Sequence, residues 1–142
     1  MLWLLLSLSV PSYFTAQQTS MAATIIEKAK PVGEDPYLLV ATAWVESRLN
    51  PFNVSKTNDY GLFQINWTFW GRKWGYKDRK SFYKDMSNPY HATVAAMIVF
   101  KEMRKYKSCQ GLNLPACYNG GPGWLKSKNK DKILWINNIK KY

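Results

Sequence analysis

The sequence is poor in soft metal ligands: one histidine, His91, and two cysteines, Cys109 and Cys117, in 142 residues. No CxxC or HxxxH spacing joins them, so no metal site and no cofactor are expected. The cysteines bracket CQGLNLPAC; they pair only if the protein leaves the cytosol, and two buried thiols are the equal alternative. Carboxylates are scarce too. Nine Asp+Glu against twenty Lys+Arg give a formal charge of +11 and a pI near 9.7. That imbalance implies attraction to polyanions, whether nucleic acid, an anionic membrane or an anionic cell wall, and does not choose among them. Long apolar runs are missing. LWLLLSLSV (Leu2–Val10) is too short to span a bilayer as a helix. The first charged side chain is Glu27, so residues 1–26 read as a candidate signal or membrane-targeting segment, with a docked N-terminal helix as the alternative. No repeat, low-complexity tract or linker divides the remainder of the chain, and residues 27–142 read as one domain.

What the chain does have is aromatic surface. Seven Trp, nine Tyr and six Phe bring the aromatic share to 15%, which suits a cleft that stacks apolar faces and offers polar tips. The helical signals are clear at several points. AATIIEKAK (22–30) reads as a short helix ended by Pro31 and Gly33. Asp35-Pro36 caps and opens PYLLVATAWVESRL, which Asn50-Pro51 stops. Asn88-Pro89 starts HATVAAMIVFKEMRKY, with Val94, Ile98 and Met97 expected inward and Lys101, Arg104 and Lys105 outward. Leu114-Pro115 opens an element that Gly120-Gly121-Pro122-Gly123 breaks, and DKILWINNIKKY is amphipathic enough for a last helix. Between these, Phe52 to Trp74 is turn-rich, with room for one small hairpin. The expected class is α+β, predominantly α, with a small irregular/β region around residues 52–75.

Three short motifs carry candidate chemistry. In WVESRLNP, Glu46 sits in the last turn of an apolar helix. There the macrodipole, the unpaired carbonyls and the flanking Trp44, Val45 and Leu49 all favour a protonated carboxyl, as a general acid requires. A solvated helix-end glutamate is the bland alternative. Fifteen residues on (61 − 46), GLFQIN brings a glycine that permits close backbone approach and an amide, Gln64, with two donors and an acceptor. A half-buried strand with Gln64 satisfied internally explains the same pattern. ACYNGGPG then places Tyr118 and Asn119 where a helix is ended by glycines, which a plain C-terminal cap also explains.

Their order is more specific than any one of them. A helix ending ES-x-x-NP, a serine, GLFQI, a long amphipathic helix and then YN-x-GPG resembles the catalytic domain of soluble lytic transglycosylases. That family is related to goose-type lysozyme and shares the lysozyme-like fold. The resemblance runs from GEDPYLLVATAWVES through the YN motif and covers roughly residues 27–142. It implies that Glu46 is the single catalytic acid/base and that Ser47, Ser55, Gln64, Tyr118 and Asn119 form the substrate-binding set. Ser55 is the residue expected near the glutamate. Two positions depart from the family's pattern: Cys117 stands where alanine is usual, and Trp135-Ile136 where a Tyr-Val pair is common.

The resemblance also implies a reaction. Ordinary glycosidases use two carboxyl groups. A lytic transglycosylase cleaves between MurNAc and GlcNAc with one, closing a 1,6-anhydro ring. The candidate second carboxylate is Asp59, the only acid between Glu46 and Asp78. If it faces the cleft, a goose-type-lysozyme-like hydrolysis becomes credible; if Asn58-Asp59 is merely a turn dipeptide, the anhydro product is expected. The implied partner is the peptidoglycan glycan strand, in the periplasm or cell wall after export, or delivered by a phage virion or a conjugation or secretion machine. Membrane contact would run through residues 2–10. Rival readings are a catalytically silent structural component of such a machine and a basic nucleic-acid-binding module using Arg72–Lys80 and Lys126–Lys132. The second gives Glu46, Gln64 and Tyr118-Asn119 nothing to do, so no specific nucleic acid is expected.

Overall fold

The computed structural model describes residues 14–123. The expected last helix, the Trp135-Ile136 pair, Lys126–Lys132 and the apolar segment Leu2–Val10 lie outside the described residues. In chain order the elements are α1 (Ala16–Ala29), α2 (Pro36–Ser47), β1 (Asp59–Tyr60), β2 (Ile65–Asn66), a π-helical turn (Trp67–Gly71), α3 (Arg79–Met86), α4 (Pro89–Met103) and α5 (Leu114–Gly120). Short 3-10 turns at Lys30–Val32, Lys107–Cys109 and Gly111–Asn113 fill the connections. This is the expected α+β, predominantly α architecture.

Helix α1 starts earlier than its sequence signals suggest. Thr15 Oγ1 accepts from the Gln18 N–H at 3.1 Å and the Gln18 side chain accepts from the Thr15 N–H at 2.8 Å, a reciprocal cap. Ala22, Ile25, Ile26 and Ala29 form its buried stripe, so the chain joins the packed body well before residue 27. Helix α2 begins as expected: Asp35 Oδ1 accepts from the Tyr37 and Leu38 N–H groups at 3.0 and 3.2 Å, and Pro36 occupies the first turn.

Helix α4 is the central strut, contacting α1, α3 and α5. Its buried face is Ala92, Ala96, Val99 and Met103, a run of i, i+4, i+7, i+11, with Ala95 and Phe100 beside it. The expectation that Val94 and Ile98 point inward is corrected: they are 40% and 43% exposed. The physical reason is that two stripes compete on this helix. The bulkier one, Val94–Ile98, runs on into Lys101 and Lys105, whereas the alanine-rich one lets α1 with its own Ala22 and Ala29 approach closely. The core then closes with Phe63, Phe82 and Phe100, none of them exposed.

The small sheet is the expected hairpin. Asp59 pairs with Asn66 and Tyr60 with Ile65, and Val54 adds a bridge to Tyr60. Gly61 opens the turn at φ 81°, where a Cβ would lie 2.2 Å from the Met86 carbonyl oxygen. Only glycine fits both the left-handed backbone and that contact.

Candidate active site

Glu46 is the last residue but one of α2, which ends at Ser47, earlier than the Asn50-Pro51 stop. Arg48 and Leu49 end it by turning left-handed at φ 55° and 60°. For residues that carry a Cβ this costs on the order of 1–2 kcal/mol each. Three contacts hold the turn. Leu49 is buried and its N–H reaches the Ala43 carbonyl at 3.3 Å. The Arg48 guanidinium lies 4.8 Å from the Trp44 ring, whose other neighbour is Phe14 at 5.2 Å. From α1, Gln18 Nε2 donates to the Arg48 carbonyl at 3.1 Å.

Glu46 opens into a cleft of about 540 Å³ shared with Asp59, Gln64, Tyr118 and Asn119. Four residues singled out in three separate stretches of sequence thus converge with the glutamate on one cavity. Asn119 makes the direct contact: its Nδ2 donates to Glu46 Oε1 at 3.2 Å. The neighbouring Tyr118 lies against Phe100, and its hydroxyl donates to the Phe63 carbonyl at 2.6 Å. Burial, then the negative charge of Glu46 and of Asp59, push the Tyr118 hydroxyl well above its ordinary range. The hydroxyl ties this wall of the cleft to the hairpin turn.

Gln64 is built into the turn it sits on. At φ 49° it is left-handed, and its Nε2 donates to the carbonyls of Asn53 and Gly61, each at 3.0 Å. Both amide protons are committed, which leaves Oε1 as the group able to accept from a ligand hydroxyl or amide N–H.

The two serines take other roles. Ser47, expected to bind substrate, is buried; its hydroxyl bonds the carbonyls of Leu62 (2.7 Å) and Ala43 (3.1 Å) and accepts from the Asn50 N–H (3.2 Å). It pins α2 to the hairpin turn because it lies one residue, about 100° around the helix, from Glu46. Ser55, the serine expected near Glu46, instead donates through its Oγ to Asp59 Oδ2 at 2.7 Å. Thr57 Oγ1 reaches the same oxygen, and Asn66 Nδ2 donates to Asp59 Oδ1 at 2.9 Å. Asp59 is therefore more than a turn residue: it is a carboxylate held by three side chains of its own hairpin, at the edge of the cleft that holds Glu46.

The sequence pattern did not single out Asn66, Phe69 and Trp70, which also line this cleft. The aromatic density of WTFW was the available signal. Cys109 and Cys117 are joined in a disulfide, which settles the open alternative and ties the middle of α5, next to Tyr118 and Asn119, to the Lys107–Cys109 turn. Among the described residues no group of His, Cys, Asp or Glu is gathered to hold a metal.

The family model described as Transglycosylase SLT domain matches residues 23–134. No curated protein matches the chain.

Proposed function

Since the chain belongs to the transglycosylase SLT domain family, within the lysozyme-like superfamily and acting on peptidoglycan, we propose that it cleaves the MurNAc-β-1,4-GlcNAc bond with 1,6-anhydro-MurNAc formation. The observation that carries this reading is the Glu46–Asn119 contact inside the cleft. Glu46 gives its proton to the bridging oxygen, and GlcNAc departs with a new 4-hydroxyl. The substrate's own N-acetyl oxygen stabilises the positive charge growing at C1. Glu46, now a carboxylate, takes the proton of the MurNAc C6 hydroxyl as O6 bonds to C1. The Asn119 N–H strengthens as a donor when Glu46 becomes charged, so it favours the first step. Gln64 Oε1 supplies an acceptor that fixes the sugar ring, and Tyr118 walls the site.

A second reading rests on Asp59. Its carboxylate lines the same cleft, and three side-chain donors hold it in place. In a goose-type-lysozyme-like hydrolase it would stabilise the cationic centre while water attacks. Digestion of purified peptidoglycan followed by mass analysis separates the two. Anhydro ends, one water lighter than reducing ends, support transglycosylation, and reducing ends move the assignment to hydrolysis. Glu46→Gln is expected to abolish cutting with the melting temperature unchanged; a variant cutting at the wild-type rate refutes the role. For its setting we propose export to the periplasm or cell wall, or delivery by a virion or secretion machine. The +11 charge supports attraction to an anionic wall.

A further inference from the structure

Outside the catalytic cleft lies a second groove, of about 390 Å³, between the turn after the π-helix and the outer face of α4. Trp74 forms one wall, and Val94 and Ile98, the residues turned out of the core, form the other. Its polar edge is a small network. Tyr76 Oη donates to Asp85 Oδ2 at 2.6 Å, and His91 Nδ1 stands 3.6 Å from Asp85 Oδ1. An aromatic face next to a carboxylate and an imidazole, over aliphatic surface, matches a sugar. The C–H face of the ring stacks, the hydroxyls reach Asp85 and His91, and an acetamido methyl finds the Val94–Ile98 wall.

The groove adjoins the catalytic cleft. Trp70 lines the cleft, Trp74 lines the groove, and their rings are 5.2 Å apart with 34° between planes. The two also neighbour each other along α4, where Val99 lines the cleft and the nearby Ala95 and Ile98 line the groove. We propose that this groove is a second glycan-binding site, which holds the same strand beyond the catalytic cleft by way of the Trp70–Trp74 shelf. The inference rests on the reading of the cleft as a glycan site. It gives this domain a grip on long strands that short fragments do not engage.

The test is calorimetric binding with Glu46→Gln as the background, so that strands stay uncut. Peptide-free glycan strands and a tetrasaccharide cut from them are the two probes. Into that background go His91→Ala and Ile98→Glu, both at exposed positions. The strands are expected to bind about tenfold more weakly, and the tetrasaccharide unchanged. Unchanged strand affinity overturns the proposal. So does a switch in oligomeric state on light scattering with strand affinity intact, since the groove would then be a contact between copies. Equal weakening of both probes also overturns it. Failure of the tetrasaccharide to bind even the background protein counts instead against the cleft.

Discussion

Replacing Gly61 by alanine tests how the site is held. At φ 81° an alanine pays about 1–2 kcal/mol for the left-handed backbone alone. Its Cβ would also sit 2.2 Å from the Met86 carbonyl oxygen and 3.0 Å from the carbonyl carbon, both backbone atoms. The oxygen contact is about 1 Å short of an ordinary C···O approach. Relieving it means moving the turn off α3, an overpacking cost of roughly 1–3 kcal/mol. The sum is about 2–5 kcal/mol, or a fall in melting temperature of roughly 8–20 °C for a domain of this size. Gly75 provides the control, because it has the same φ of 81° but nothing within 4 Å of a built Cβ. Gly75→Ala should therefore lose only the backbone share. Differential scanning calorimetry of both variants isolates the clash. If Gly61→Ala melts within about 2 °C of Gly75→Ala, the close contact with Met86 does not constrain the turn and the overpacking cost is refuted.

Asn119→Ala removes the donor to Glu46 that gains strength in the transition state, and kcat is expected to fall about tenfold, a difference of about 1.4 kcal/mol. Steady-state kinetics with an unchanged kcat refutes it. Reducing the Cys109–Cys117 bond, eight residues apart, should cost about 2.5 kcal/mol by loop entropy and lower the urea midpoint; an unmoved midpoint contradicts this. Two tyrosines should make stability fall at alkaline pH. Tyr76 is raised to about 12 by burial and then by Asp85, and Tyr118 is raised well above its ordinary value by burial and then by Glu46 and Asp59. A group raised on folding keeps its full contribution below the unfolded value of 10.0 and loses it as pH climbs through the folded value. Unfolding free energy should thus fall above pH 10, and Tyr118→Phe should flatten the slope by roughly 1.4 kcal/mol per pH unit. Urea titrations at several alkaline pH values that give parallel slopes for wild type and variant rule this out.

What could be read in the sequence was what local chemistry decides. Asp35-Pro36 declares a helix start because cap and first turn are satisfied within three residues. The order of the ES, GLFQ and YN motifs placed Glu46, Gln64, Tyr118 and Asn119 together, and they do share a cleft. Less legible were choices made by distant packing. Ser47 faces the hairpin and not the cleft because the helix register turns it about 100° from its neighbour. Ser55 belongs to Asp59 because the hairpin folds it back four residues. Val94 and Ile98 looked like a core stripe since their spacing is as helical as that of Ala92 and Ala96; only the partner helix chooses. Arg48 and Leu49 carry no glycine to announce a left-handed turn, which Gln18 and Trp44 stabilise from outside.

The hairpin turn is gripped through its main chain, by its own Gln64 and by side chains of α2 and α5. The carbonyl of Gly61 receives Gln64, that of Leu62 receives Ser47, and that of Phe63 receives Tyr118. What these partners recognise is three consecutive peptide oxygens, a feature that every amino acid presents alike. The identities of Leu62 and Phe63 are therefore answerable only to the core they fill, and apolar exchanges there leave the wiring to α2 and α5 intact. Heritable change is free to drift at the middle of this turn while its three donors are held fixed. The opposite pattern, rigid turn side chains with freely varying partners, belongs to a site wired through side chains.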